Sequence, residues 1–570
     1  MRPRQGLSLT GHRITIVRRC EMQRWAAIKW VIRLAGVDYH APMDEACQIF
    51  GDAFVSYCLN VEVDSLRSAT LSSEQLEVLQ ALMLWAGQIS TQQNSFARSH
   101  AIGQVLSFDA AAQTTLPNIW RQHCGGSLLA IESDDPLEEA LLHLGRDFFA
   151  GCLLPRPTGN AAGGMSSILT MPTFKHPKIR EFAQAVLRDS VMCRLFPGVA
   201  NADTYNGDGA DVHSHLLWSS GQGGTCQLIL LPSSLLGVAL RRLGAHPTPG
   251  GFFDVLRWAL KLGRNLAAKR NVHVPVLVGL AHIELVNGEP IFFQGGQIRV
   301  PTDGDRENLW DADGITAVLE VEVPVRLLSV RYWAPGPQDD SGQVERRWET
   351  ARPSIQKFQD EMRRRINLIR LAMLFASPSG EVIAPAEMVS TAINPLSLGQ
   401  SASMSVYRYP MSAFASTQIT AEVGTEIQRW VVQVAKHPTG LDMAMRRLLS
   451  AVSTRPDPMD GFVDAVICWE NIFGTNEGEV TFRVCGAMAI LLEPDDMVKR
   501  RALFKELKEL YGVRSELVHG ANEPSIADAY KHRERSVDVA TQALKALYSR
   551  PDLLNAPGSN VRGRMLLLGV

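Results

Sequence analysis

The feature that most constrains the fold is a change of sequence pattern near residue 425. Beyond it, strand signals vanish and apolar residues recur at helical spacing, in segments separated by short breaks rich in proline and glycine. The predicted helices cover residues 427–435, 442–453, 459–473, 480–492, 494–511 and 526–548. Amphipathic helices joined by short loops pack against one another, so residues 426–550 are predicted to form an all-α antiparallel helical bundle.

The chain before residue 425 mixes helical and strand signals. Ser72 and Gln75 have the spacing of a capping box ahead of a leucine-rich helix. Strands are predicted at residues 274–285, 290–300 and 315–333, and Asn287-Gly288 predicts a hairpin turn between the first two. The whole chain is therefore predicted to be an α+β multidomain protein, with a mixed α/β N-terminal region followed by the bundle.

Breaks in composition divide the chain into five parts. A proline- and glycine-rich linker at residues 334–343 and the change near residue 425 are the clearest boundaries. The predicted parts are a basic arm at 1–20, an α+β region of unknown fold at 21–340, a helical and irregular connector at 341–425, the bundle, and a tail at 551–570. No apolar segment is long enough to predict a membrane span.

Overall composition fits an ordinary globular protein. Of the 570 residues, 46% are hydrophobic and 20% charged, and the formal net charge is -2, so any nucleic-acid surface must be local. The nine cysteines contain no C-x-x-C pair. That pattern predicts reduced thiols and a cytoplasmic location instead of a disulfide framework or a zinc site.

One polar segment contains potential metal ligands. Asp203, Asp208 and Asp211 precede His213 and His215, whose alternate spacing would place both imidazoles on one side of a strand. Two histidines and a carboxylate can bind a transition metal or zinc. The neighbouring asparagines and glycines favour the other interpretation, a solvated loop.

Two basic patterns are candidates for RNA contact. Arg501, Lys505 and Lys508 form a stripe along the predicted helix 494–511, on the face opposite its leucines. The run Arg363-Arg364-Arg365 lies in another predicted helix. Each pattern is also typical of a solvated helix face, and the stripe shares its surface with glutamates.

The stretch LYGVRSELVHG, residues 510–520, contains Arg514 and His519 at an R-x4-H spacing, with polar Ser515 between them. A histidine can transfer a proton to or from a ribose hydroxyl or a leaving oxygen, and an arginine can hold a phosphate as charge develops. This combination suits metal-free cleavage of RNA. The alternative is a helix corner in which His519 caps backbone groups and Arg514 forms a surface ion pair.

Residues 441–547 resemble the Apea-like HEPN domains of defence-associated bacterial proteins. The resemblance rests on MAMRRLLSAVS, on DAVICWENIFG, on EVTFRVCGAMAILLE, and above all on LFKELKELYGVRSELVHG. It implies that Arg514 and His519 are catalytic and that Ser515 occupies the polar position of the motif. Glu470 and Tyr511 fall within the matching segments and are expected to support the site.

The resemblance implies an endoribonuclease of the HEPN type that needs no metal or cofactor and leaves 2′,3′-cyclic phosphate and 5′-OH ends. It further implies a toxin in anti-phage defence or abortive infection, with RNA (tRNA among the candidates) as substrate. The N-terminal region is then expected to be a sensor for a phage-derived trigger. Two alternatives remain open: a non-catalytic HEPN module for RNA or protein binding and dimerisation, and a metal-dependent hydrolase using His213 and His215.

Helix geometry adds a constraint on the motif. Five residues turn a straight helix by about 500°, which leaves Arg514 and His519 roughly 140° apart around the axis. Both side chains can face one phosphate only if the helix bends or ends there, or if a second copy completes the site. HEPN ribonucleases are similar in joining two motifs across a dimer interface, so the resemblance implies a homodimer through the bundle, consistent with the commonest oligomer symmetry.

Overall fold

The computed structural model describes residues 40–92, 101–155, 176–199, 201–221, 223–242, 247–302, 305, 309, 314–332, 341–378, 381–393, 396, 401–406, 416–474, 479–520 and 523–569. The arm predicted at residues 1–20 lies outside them. In the described part of the chain, sheets occupy the N-terminal and middle regions, and only helices follow Ile419. The structure therefore confirms the α+β class ending in a helical bundle.

The chain before residue 376 contains a series of helices. They are α1 (His40–Phe50), α2 (Asp52–Leu59), α3 (Ser73–Ser90), α4 (Leu116–His123), α5 (Pro136–Phe148), α6 (Ile179–Arg188), α7 (Leu231–Arg242), α8 (Pro249–Ala267) and α9 (Ser341–Phe375). The predicted capping box begins α3: the Gln75 N–H donates to Ser72 Oγ at 3.3 Å, and the Ser72 N–H donates to Gln75 Oε1 at 2.8 Å. Both contacts satisfy donors that the first helical turn leaves unpaired.

The strands of the described residues are β1 (Phe108–Asp109), β2 (Thr114–Thr115), β3 (His213–Trp218), β4 (Gly223–Gln227), β5 (Val272–Ala281), β6 (Ile283–Leu285), β7 (Ile291–Phe293), β8 (Gly296–Arg299), β9 (Ala317–Val325), β10 (Leu327–Tyr332), β11 (Ala386–Ile393), β12 (Ser401–Val406) and β13 (Thr417–Ile419). The largest sheet has six antiparallel strands in the order β12-β11-β5-β9-β8-β7. A second sheet has the order β10-β3-β4, and β1 pairs with β2. Two strands of the six-stranded sheet, β11 and β12, lie in the segment that was predicted to be a helical and irregular connector. That segment therefore contributes to the six-stranded sheet, which is called the central sheet below.

The prediction of a hairpin at Asn287-Gly288 is wrong. Strand β6, before that turn, pairs in parallel with β13, whereas β7, after it, pairs with β8. The tight turn is instead at Gln294-Gly295, where Gly295 has a φ of +76°. Asn-Gly fixes only a local turn, and the partner of β6 is decided by the burial of Ile283 and Ile419.

Helix α9 is continuous through Pro353. Proline removes one helical hydrogen bond, but its φ is compatible with a helix. Pro353 is exposed, so water can bind the carbonyl that loses its donor. The helix is thus long enough to contact both the sheet, at β9, and the bundle.

Two of the three arginines in the run of α9 bind other elements of the fold instead of facing solvent. Arg364 Nε donates to both carboxylate oxygens of Asp442, at 3.1 and 3.0 Å. Arg365 donates to the backbone carbonyls of Glu322 at 2.6 Å and Gly295 at 3.0 Å. Two of the three guanidinium groups therefore anchor α9 to the bundle and to the sheet, and only Arg363 is exposed.

The C-terminal bundle contains the predicted helices, three of them with the predicted bounds. It consists of α10 (Ala421–Val434), α11 (Asp442–Ser453), α12 (Pro458–Phe473), α13 (Val480–Leu492), α14 (Met497–Val518) and α15 (Ile526–Tyr548). Helix α12 packs against α11 and α15, and α13 packs against α14. The fully buried Trp469 donates to the carbonyl of Ser536 at 3.2 Å, which fixes α12 on α15.

The segment predicted as a tail, residues 551–570, is part of the bundle. It forms α16 (Pro551–Leu554) and α17 (Ser559–Leu568), and α17 packs against α12 and α13. Arg562 is 1% exposed and donates to the carbonyls of Leu553 at 2.8 Å and Ile472 at 2.7 Å. A buried guanidinium with such partners fixes α17 to the end of α12.

Two further observations concern the described residues as a whole. None of their helices is both long and apolar enough to cross a membrane. Their cysteines are free thiols, and several, including Cys58 and Cys468, are fully buried. Burial raises the pKa of the Cys226 thiol to about 12, so this side chain stays protonated and packs as a small apolar group.

Candidate active site

Helix α14 carries the R-x4-H motif through its last two turns. The helix begins at Asp496, whose carboxylate accepts from the N–H groups of Val498 and Lys499 at 2.9 and 3.0 Å. It was predicted to end at Tyr511, but it continues to Val518 because a single glycine, Gly512, is tolerated inside a helix. His519 is the C-cap residue, and the chain then turns at Gly520, which has a φ of +67°.

Glu470 of α12 brings Tyr511 and Arg514 of α14 together. The hydroxyl of Tyr511 donates to Glu470 Oε1 at 2.5 Å, and Arg514 Nη2 donates to Glu470 Oε2 at 3.2 Å. The guanidinium carbon of Arg514 also lies 5.9 Å from the centre of the Tyr511 ring. One carboxylate thus aligns both side chains, and the three residues are called the Glu470 cluster below.

The electrostatics of the Glu470 cluster define what each group can do. Burial, together with the adjacent Glu470 carboxylate, raises the pKa of Tyr511 well above its ordinary value. Its hydroxyl therefore remains a proton donor at neutral pH and cannot serve as a base. The Arg514 side chain is 20% exposed, and its buried Nε has no hydrogen-bond acceptor among the described residues.

His519 and Ser515 are placed differently from Arg514. His519 is exposed, and its backbone N–H donates to the carbonyl of Ser515 at 3.1 Å. Its imidazole forms no hydrogen bond or ion pair with any other described residue, so it is accessible to a ligand. Because α14 is helical up to Val518, the angular separation predicted from the sequence holds, and His519 lies outside the Glu470 cluster.

The basic stripe is on the surface of the same helix. Arg501, Lys505 and Lys508 are all exposed. Lys505 lies 4.0 Å from Glu509, with both side chains more than half exposed, which is a weak pairing. Glu506, the other glutamate expected to share this face, is engaged by Arg535 at 2.7 Å. The cations are therefore available to an anionic partner.

Exposed apolar side chains near the motif were not recognised from the sequence. Val518 precedes His519 and is 52% exposed, and Ile526 and Tyr530, in the first turns of α15, are 66% and 44% exposed. The sequence gives only a weak signal that these side chains are exposed, because apolar residues near helix ends are usually buried. Exposed apolar side chains of this kind are available for contact with another molecule.

One histidine of the proposed metal segment, His215, is engaged by another group. His213 and His215 lie on β3, and Arg347 donates to His215 Nδ1 at 3.3 Å and to its carbonyl at 3.0 Å. Burial, then the charges of Arg347 and Arg331, lower the pKa of His215. Asp203 pairs with Arg188, and Asp211 accepts from Tyr205. The described residues contain no group of three potential ligands close enough to hold a metal ion.

Comparisons with known proteins give no match to this chain, whether among family models, curated proteins or solved structures. The likeness to HEPN domains accordingly rests on the motifs of the C-terminal bundle. The positions and the chemistry of its side chains determine what this site can do.

Proposed function

We propose that this protein is a HEPN-type endoribonuclease that cleaves RNA without a metal ion. The observation that carries the proposal is the Glu470 cluster, which holds a partly exposed guanidinium on the helix that ends in an accessible histidine. Arginine and histidine supply the two functions that transesterification of RNA requires, charge stabilisation and proton transfer. Ser515, between them on the same helix, is a further polar group of the site.

In the proposed reaction the ribose 2′-oxygen attacks the adjacent phosphorus, and the bond from phosphorus to the 5′-oxygen breaks. The 2′-hydroxyl loses its proton, and the 5′-oxygen gains one as it leaves. His519 transfers one of these protons, and Arg514 stabilises the added negative charge on the phosphoryl oxygens. The products are a 2′,3′-cyclic phosphate and a 5′-hydroxyl, so atoms and charges balance without a co-reactant.

Glu470 and Tyr511 are positioning residues in this scheme. The Glu470 carboxylate fixes one edge of the Arg514 guanidinium, and the partly exposed remainder of that group is the part proposed to contact a phosphate. Tyr511 in turn fixes Glu470 through its hydroxyl, which stays protonated. A guanidinium that is aligned before substrate binds loses less conformational freedom in the reaction.

We place the complete site at the interface of a homodimer formed by the bundle. Because α14 is helical from Arg514 to Val518, the angular separation of Arg514 and His519 favours a second copy that brings an arginine and a histidine to one phosphate. The exposed Val518, Ile526 and Tyr530 supply apolar surface for that contact. The N-terminal region then acts as the sensor of a phage-derived trigger, connected to the bundle through α9.

The proposed reaction is expected to survive chelation. Purified protein incubated with total RNA in EDTA should still generate fragments, because no step uses a metal. Mapping the fragment ends should give 2′,3′-cyclic phosphates and 5′-hydroxyls. Loss of cleavage in EDTA that also requires His213 would support the metal-dependent hydrolase instead.

A non-catalytic HEPN module is the second candidate, since the Arg514–Glu470 ion pair also suits a structural role. This alternative would bind RNA or protein and dimerise through the same helices. RNA binding without new ends, under all conditions that activate the protein, would indicate it.

The basic stripe is expected to bind RNA without cutting it. Exchanging Lys505 and Lys508 for glutamate should weaken RNA binding and flatten its dependence on salt, by about 0.7 in the logarithmic slope for each lost contact to a single strand. The change should be similar for RNAs of different sequence, because phosphate contacts carry little sequence information. Filter binding at several salt concentrations measures both effects.

A matched control is available elsewhere in the described part of the chain. Lys357 is 74% exposed and pairs with Glu361 at the same i,i+4 spacing as Lys505 with Glu509, and Lys436 is also exposed. Exchanging Lys357 and Lys436 for glutamate makes the same change in net charge away from the motif. An equal effect in both double variants would show that the stripe is only a solvated face.

A further inference from the structure

A cleft lies where helix α9, strand β11 and helix α11 meet. Its cavity has a volume of about 210 Å³. The polar residues that line it include Arg363 and Arg370 of α9, Glu387 and Ser390 of β11, and Arg446 of α11. The cleft therefore joins the long helix, the central sheet and the bundle, and it is separate from the Glu470 cluster.

The charges around the cleft are unbalanced. Three guanidinium groups line it with a single carboxylate, that of Glu387. Arg370 is 5% exposed and lies 3.6 Å from Glu387, so this carboxylate is already neutralised. Arg363 and Arg446 are exposed, and neither forms an ion pair with another described residue. Two uncompensated positive charges thus face the same cavity.

Arg370 gives the cleft a rigid base. Its Nε donates to the carbonyl of Pro385 at 3.1 Å, its Nη1 to Asn367 Oδ1 at 3.1 Å, and its Nη2 to Ser453 Oγ at 2.7 Å. These contacts hold a buried cation between α9, the segment before β11 and the end of α11. Because the charge of Arg370 is paired with Glu387, the uncompensated charge of the cleft comes from Arg363 and Arg446.

The chemistry of the cleft selects its ligand. Guanidinium groups bind phosphate oxygens through paired, charge-assisted hydrogen bonds, and Ser390 and Thr454 add hydroxyl groups to the lining. The cavity is smaller than the roughly 300–1,000 Å³ typical of sites for whole drug-sized ligands. It suits a compact anion, with any larger attached group remaining outside.

We propose that this cleft is a binding site for a small phosphate-bearing anion, either inorganic phosphate or the terminal phosphate of a phosphorylated metabolite. The anion bridges Arg363 on α9 and Arg446 on α11. Helix α9 is also attached to the bundle by the ion pair between Arg364 and Asp442. The bound anion would add a second link between the bundle and α9, the helix that contacts the sheet. The site is independent of the proposed ribonuclease activity.

The test is calorimetric titration of the full-length protein with inorganic phosphate, in chloride buffer adjusted to constant ionic strength. One saturable site per chain is expected, together with a rise in thermal unfolding temperature. Arg363→Gln and Arg446→Gln should each weaken binding by about tenfold or more, since each removes a charge-assisted contact. Both residues are exposed, so the variants are expected to fold.

Arg352→Gln is the matched control, because Arg352 is an exposed arginine of α9 that does not line the cleft. Titration with AMP distinguishes the two ligand sources: AMP binding that requires Arg363 and Arg446 assigns a phosphate monoester, and phosphate binding alone assigns the free anion. The proposal is overturned if wild type shows no saturable binding up to about 10 mM phosphate, or if the Arg363→Gln/Arg446→Gln protein binds as tightly as Arg352→Gln.

Discussion

Replacing His519 by alanine is expected to abolish RNA cleavage while leaving the protein folded. The imidazole is the proton-transfer group of the proposed reaction, and loss of such a group reduces rates by about 10²- to 10⁴-fold. The side chain is exposed and makes no hydrogen bond or ion pair with the other described residues, so its removal costs little stability. Cleavage rates on a defined single-stranded RNA, with thermal unfolding measured in parallel, check both parts.

His273→Ala is the matched control, since His273 is an exposed histidine on β5, far along the chain from the bundle. It should cleave RNA at the wild-type rate. Toxicity of expression in cells offers a second readout that His519→Ala should remove and His273→Ala should preserve. A His519→Ala protein that cuts RNA as fast as the wild type would refute the catalytic assignment.

Local signals in the sequence were sufficient to predict much of the bundle. Helices α11, α13 and α15 have their predicted bounds because apolar periodicity and helix-breaking residues agree at both ends. Helix α14 was predicted to end at Tyr511, one residue before Gly512, and is therefore longer than predicted. The flanks of Gly512, from Leu510 to Leu517, continue the helical pattern, and packing against α13 outweighs the cost of one glycine.

Pairing between distant parts of the chain could not be predicted in this way. The parallel pairing of β6 with β13 joins Ile283 to Thr417, and no local turn signal reports such a contact. The arginine run of α9 has the same composition whether it faces water or, as observed, Asp442 and backbone carbonyls. Both outcomes depend on elements at least 43 residues away.

The candidate site shows the same division. The spacing of Arg514 and His519 is visible in the sequence, and so is their angular separation on a helix. The alignment of Arg514 by Glu470 joins residues 44 positions apart and required the structure. The resemblance to HEPN domains indicated that Glu470 belongs to the site, but not that it contacts both Tyr511 and Arg514.

The active form is expected to be at least a dimer, with activity that falls faster than linearly on dilution. Below the dissociation constant the fraction of paired bundles decreases with concentration, so activity per milligram decreases too. Val518→Asp should have the same effect at higher concentration, because it places a charge in the exposed apolar surface beside His519. Light scattering and RNA cleavage, measured over one concentration series, test the relation directly. A monomer that is fully active at nanomolar concentration would contradict the composite site.

Mixing two inactive variants tests how the site is divided between the chains. Arg514→Ala should reduce cleavage by about 10²- to 10³-fold, the usual cost of losing a group that stabilises developing charge. When Arg514→Ala and His519→Ala proteins are exchanged into heterodimers, one of the two arginine–histidine pairs at the interface is intact, with the arginine from one copy and the histidine from the other. Because about half the dimers are mixed, up to roughly a quarter of wild-type activity should return if each phosphate is served by both copies. Each chain lacks one of the two groups, so no such recovery is possible if Arg514 and His519 act from the same chain. Recovery would therefore assign the arginine and histidine of each site to different copies.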